Sequence, residues 1–142
     1  MKKTLLLTGL SILIFSTSTW AASNCPQPRK TKSAPSNIAS LDRTAQADAE
    51  NGKNIFNKKA KPLACKMCHG GKGDGMGKLG KALKPAPRNF TCSDTMKDVS
   101  AGQMFWVIKN GSPGTGMTAH KKTLKDKEIW DVVKYIRQSW VH

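Results

Sequence analysis

Apolar residues along this chain fall into distinct patterns, and each predicts a different kind of segment. An unbroken run from Leu5 to Phe15 follows Met1-Lys2-Lys3. From Ala22 to Ser40 the apolar positions have no period, and Pro, Ser, Asn and Lys dominate, which predicts an extended arm. From about Leu41 the spacing turns helical, with Ala45, Ala49, Gly52, Ile55 and Phe56 on one face. Asp42, Asp48 and Glu50 fall in its early turns, where negative charge suits the helix dipole. This helix is expected to end near Lys61-Pro62. Between Gly70 and Gly80 glycine is too frequent for a helix, and the segment is expected to loop with its backbone close to a flat ligand. Leu79, Ala82 and Leu83 then allow one short turn.

Two further helices follow. Ser100-Ala101-Gly102-Gln103 reads as a capping box, Met104, Phe105, Val107 and Ile108 supply the apolar side, and Asn110-Gly111 ends the helix. In the last helix Thr123 with Asp126 is expected at the start. Ile129, Val133, Ile136 and Trp140 form the inner face with Trp130 beside them, and Lys125, Lys127, Asp131, Lys134 and Gln138 point outward. No stretch alternates with a period of two, so the predicted class is all-α, three main helices plus short turns.

The first apolar run changes the picture of where the chain works. A short basic start, an apolar core too short to cross a bilayer and the small residues up to Ala21-Ala22 make a secretory signal peptide, with cleavage expected after Ala21. The expected organisation is a signal peptide over 1–21, the arm over 22–44 and one small domain over 45–142. Export implies the periplasm, an oxidising compartment in which disulfides persist. The formal charge of +15 favours acidic partner surfaces. Its lysines are scattered without interleaved stacking aromatics, which argues against nucleic acid as the partner.

Candidate chemistry is concentrated in Cys65-Lys66-Met67-Cys68-His69. Two thiols at this spacing can add to the two vinyl groups of one haem while the adjoining imidazole reaches the iron, so the motif predicts one covalent haem c. A thioredoxin-like redox pair would lie in a βαβ pattern and need no following His. A structural zinc site would need a second ligand pair, and the remaining cysteines, Cys25 and Cys92, are isolated. Those two are the only cysteines left after haem attachment and are expected to pair as a disulfide in an oxidising compartment. The rival reading has Cys92 packed as a small apolar residue and Cys25 free. A second iron ligand must come from distant sequence. The candidates are Met76, Met96, Met104, Met117, His120 and His142. Met76 is too close to His69, Met104 belongs to an apolar helix face, and Met117 lies in a glycine-rich loop with His120 as its rival.

A helix with Gly and an aromatic before C-x-x-C-H, a later G-T-G-M loop and a final helix with W-x-x-x-x-Y-I together resemble the class I c-type cytochromes of bacteria, from about Ala45 to Trp140. The resemblance implies a cytochrome c fold wrapped around the haem, with His69 and Met117 as the metal ligands. It places Gly52 and Phe56 against Trp130 and Tyr135. It implies a backbone carbonyl from Pro85 or Pro87 to the axial His, and Arg88 and Trp106 near the haem propionates. Many relatives have Pro after the axial Met, where this chain has Thr118. The expected function is a soluble, exported, monomeric carrier of single electrons between larger redox partners, without bond chemistry of its own. The alternatives are a haem enzyme or gas sensor with an open sixth site, or a fixed subunit of a larger oxidoreductase.

Overall fold

A computed structural model describes residues 25–28 and 31–141, so the expected signal peptide and His142 lie outside the described residues. Among them the elements are α1 (Ser36–Ala39), a 3₁₀ turn (Thr44–Gln46), α2 (Ala49–Asn54), α3 (Lys66–His69), a 3₁₀ turn (Gly80–Ala82), α4 (Ser93–Met96), α5 (Ala101–Asn110) and α6 (Asp126–Trp140). No strand occurs among the described residues.

The apolar stripe starts later than its pattern because Asp48 stops the helix from reaching further back. Its carboxylate accepts from the Glu50 and Asn51 N–H groups at 3.0 and 3.1 Å, so Asp48 caps α2 instead of lying within it. Beyond Asn54 the helix widens into a π-helical segment, Ile55–Lys59, closed by the Ala60 N–H on the Ile55 carbonyl at 3.1 Å.

α2 crosses α6 at Gly52. A Cβ built there would overlap the Asp131 carbonyl and stand 3.0 Å from the Tyr135 Cβ, so the close approach requires glycine. Asp131 corrects its expected outward position: it is fully buried at this crossing. Its carboxylate accepts from the Asp48 N–H at 2.7 Å, the Asn51 side chain at 2.8 Å and the Lys127 ammonium at 3.2 Å. Burial alone would raise its pKa, but these donors outweigh it and hold the carboxyl below its ordinary value. Phe56 packs against Tyr135 and Trp140, with ring centroids 5.5 and 5.4 Å away. Trp130 stacks instead on Phe105 at 4.6 Å and so joins α6 to α5. Ile55, Phe56, Met96, Ile129, Val132 and Val133 form the driest part of the core.

Both capping expectations need revision. The Ser100 hydroxyl accepts from the Gln103 N–H at 3.1 Å, but the Gln103 side chain turns away to Ala34 N–H and the Lys32 carbonyl. α6 begins at Asp126, with Glu128 accepting from the Lys125 N–H at 2.8 Å, while Thr123 bonds the carbonyls of His120 and Lys61. The segment expected to be extended forms one helical turn, α1, seated on α5. A Cβ at Gly102 would overlap the Ile38 carbonyl. The arm's front is fixed by the expected Cys25–Cys92 disulfide, Cα–Cα 5.6 Å.

Candidate haem-binding site

The C-x-x-C-H motif folds as a single helical turn because its flanking chain supplies the hydrogen bonds that so short a helix lacks. The His69 N–H closes on the Cys65 carbonyl at 2.9 Å. The turn's remaining carbonyls are taken by the glycine loop: Leu79 N–H on Met67, Gly77 N–H on Cys68 and Gly75 N–H on His69, at 2.8, 3.1 and 2.9 Å. A Cβ at Gly77 would lie 2.5 Å from the Met67 carbonyl, and one at Gly80 would overlap that of Cys68. Gly77 and Gly80 therefore allow the loop to close on the attachment turn itself.

Cys65 and Cys68 are both free thiols in this turn. Burial pushes the Cys65 thiol up to about 11 and raises that of Cys68 as well. Dithiol exchange is favoured by the opposite shift, a lowered thiol pKa. Among the described residues no group of His, Cys, Asp or Glu is arranged to hold a metal ion by itself, which leaves the zinc reading without a site.

The imidazole of His69 is oriented from two sides. Its ring stacks on Phe90 at 4.6 Å, and Phe90 in turn stacks on Trp140 at 6.0 Å. Its Nδ1 lies 3.0 Å from the Arg88 carbonyl. A carbonyl can only accept, so the proton belongs on Nδ1, and the neutral tautomer presents its lone pair at Nε2. Burial lowers the His69 pKa, which favours that neutral form. Two free thiols on one turn and an imidazole with Nε2 as its donor are the donor set a covalent haem requires, and the residues fit the group.

The carbonyl that holds His69 belongs to Arg88, a correction to Pro85 or Pro87. Pro85 is half-buried upstream, and the Pro87 carbonyl accepts from the Gln27 side chain at 2.9 Å. The Arg88 guanidinium donates to Thr31 Oγ1 at 2.7 Å and reaches Gln27 Oε1 at 3.5 Å, so it is tied to the arm. Trp106 is half-buried on α5, and its carbonyl accepts from the Asn110 side chain.

Met117 is half-buried and packs against the core from the loop between α5 and α6. That loop is pinned although Thr118, not proline, follows Met117. Gly111 turns at φ 74, the Ser112 N–H bonds the Met117 carbonyl at 3.0 Å, and the Met117 N–H bonds Thr115 Oγ1 at 3.0 Å. His120 is buried with its ring beside Thr123 Oγ1 at 3.4 Å and hydrogen-bonded to the Lys61 backbone. Met96 and Met104 lie in the core. Sequence reading missed Phe90, Asp131 and Gln27. Phe90 stands in a segment without a period, and the partners of the other two are far away along the chain.

A sequence profile of the family Cytochrome c matches residues 49–140. Among solved structures, a chain of the reducing HAO-like protein complex of Kuenenia stuttgartiensis is similar, with 26% identity and a TM-score of 0.56 over 70% of the present chain. The match covers 45% of that chain, so the present chain spans less than half its length. Among curated proteins none matches. The all-α class expected from the periodicity and the covalent haem c expected from the C-x-x-C-H motif are borne out.

Proposed function

The chain belongs to the cytochrome c family, and on that premise we propose that it is an exported monohaem carrier of single electrons, working in the periplasm between larger redox partners. The reading is carried by the attachment turn: two cysteines outside any disulfide, beside an imidazole whose Nδ1 is occupied by the Arg88 carbonyl. Bound haem c supplies a one-electron iron couple. Cys65 and Cys68 hold the group through two thioether bonds. His69 binds iron through Nε2 and Met117 through its thioether. The Met thioether favours the reduced state and raises the potential relative to two imidazoles. Export rests on Met1-Lys2-Lys3 and the apolar run to Phe15. No helix among the described residues is long and apolar enough to cross a membrane.

Partners are acidic redox proteins met by collision. Lys72, Lys81, Lys121 and Lys122 are exposed and Lys66 half-buried, and the whole chain carries +15. Such a surface accelerates encounter with negative charge more than it tightens the complex. The protein makes and breaks no substrate bond. A second reading, a fixed electron-transfer component of a larger assembly, is favoured by the similarity to a chain of an HAO-like complex. Purification of the holoprotein separates the two. A free monomer, oxidised by an acidic partner at a rate that falls steeply with ionic strength, supports the carrier. Co-purification in fixed stoichiometry with an oxidoreductase, or a rate indifferent to salt, supports the assembly.

A further inference from the structure

Hydrogen bonds from the arm converge on one point of the site, the peptide that joins Arg88 to Asn89. Its carbonyl faces His69 Nδ1 at 3.0 Å, and its N–H, that of Asn89, donates to Gln27 Oε1 at 3.0 Å. The same Gln27 amide donates through Nε2 to the Pro87 carbonyl at 2.9 Å, on the preceding peptide. One planar side chain therefore grips both peptide planes that meet at residue 88. It also completes a chain of hydrogen bonds from Gln27 Oε1, through a peptide group, to the imidazole. Bonds in such a chain polarise one another, so an acceptor on the N–H side makes the carbonyl a better acceptor for His69.

Gln27 is itself held in place. Its N–H donates to Thr95 Oγ1 at 2.9 Å, and the Cys25–Cys92 disulfide anchors the chain two residues before it. Arg88 adds its bond to Thr31, further along the arm.

We infer that Gln27, anchored by the Cys25–Cys92 bond, is a positioning residue for His69: it fixes and polarises the peptide that holds the imidazole, and thereby tunes the reduction potential of the iron. The inference rests on the proposed role of His69 as an axial ligand. An Nδ1–H given to a strong acceptor makes Nε2 a better donor, which favours Fe(III) and lowers the potential. Without Gln27 the carbonyl is a weaker and looser acceptor, and the potential rises.

The test uses purified holoprotein of the wild type and of Gln27→Leu, Gln27→Glu and Gln103→Ala. The readouts are the His69 Nδ1–H resonance in the reduced state and the ratio of oxidised to reduced protein at a fixed poise. Gln27→Leu should move the Nδ1–H upfield and lower that ratio roughly two- to fivefold, the factor a modest hydrogen bond carries. Gln27→Glu keeps the acceptor for Asn89 N–H and should hold the resonance at or downfield of its wild-type position. Gln103→Ala removes the arm's bonds to α5 at Lys32 and Ala34 and should move neither readout. If Gln27→Leu does not accumulate, Gln27→Ser removes the same side-chain bonds, to Asn89, Pro87 and Arg88, and is judged by the same criteria. An iron-bound His69 that ignores Gln27, or responds equally to Gln103→Ala, overturns this inference alone. Wild-type His69 ring resonances without the shifts of an iron-bound imidazole would overturn the ligand assignment and this inference with it.

Discussion

The crossing of α2 with α6 and the turn that carries Cys65, Cys68 and His69 are held by different means. At the crossing, side chains do the holding: Ile55, Phe56, Ile129 and Val133 are removed from water, and Asp131 joins the two helices through Asp48 and Asn51. At the turn, peptide groups do it, supplied by the glycine loop and by Arg88, with the arm bracing them from outside. Apolar packing is non-directional and tolerates small shifts, whereas a ligand atom must be aimed. The molecule keeps its frame in the first kind of contact and its aim in the second.

The severest way to break this division is Gly52→Val. Its side chain would push into the Asp131 backbone, which cannot yield without separating α2 from α6. A loss of about 3 kcal/mol or more, or failure to accumulate, is expected on guanidinium unfolding of the holoprotein. A loss under about 1 kcal/mol would show that the crossing adapts.

Breaking the arm should act more locally. The Cys25→Ser, Cys92→Ala double variant opens a loop closed across a separation of 67 residues, for which chain entropy gives at most about 4 kcal/mol. Amide exchange should quicken through the described arm residues while protection in the middle of α6 persists. Equal loss in both regions would mean that the arm and the crossing are held as one unit.

Asp131 sharpens the comparison from the frame's side. Asp131→Ala takes away the charged acceptor of the partly buried Asp48 N–H and Asn51 amide and should cost about 1–3 kcal/mol. Lys127 contributes little, because its side chain is 69% exposed. The folded pKa of Asp131 is depressed, so its stabilisation is present above the ordinary value of 3.8 and is lost as pH falls through the lower folded value. Unfolding midpoints measured down that acid range should converge for wild type and Asp131→Asn. Parallel profiles would mean that the carboxylate's charge is irrelevant.

The same division decides what could be read from the sequence. α5 and α6 were legible because Met104, Phe105 and Ile108, or Ile129, Val133 and Ile136, repeat at helical spacing. The attachment motif was legible because its chemistry is local. Asp131 reads as outward because a charged residue beside an apolar stripe has no sequence mark of burial, and its partners Asp48 and Asn51 lie 80 residues or more away. The resemblance sets Gly52 and Phe56 against Trp130 and Tyr135; Tyr135 meets both, while the Trp130 ring stacks on Phe105. The Arg88 carbonyl was invisible for a deeper reason: every residue has one, and only the path of the chain decides which faces His69.

The central claim is that the iron lies between His69 and Met117, and the oxidised absorption spectrum of Met117→Ala tests it most directly. The variant should keep its covalent haem, lose the weak far-red band of thioether–iron ligation and fall in potential, while His120→Ala keeps the band. Persistence of the band in Met117→Ala, with its loss in His120→Ala or Met96→Ala, would contradict the account.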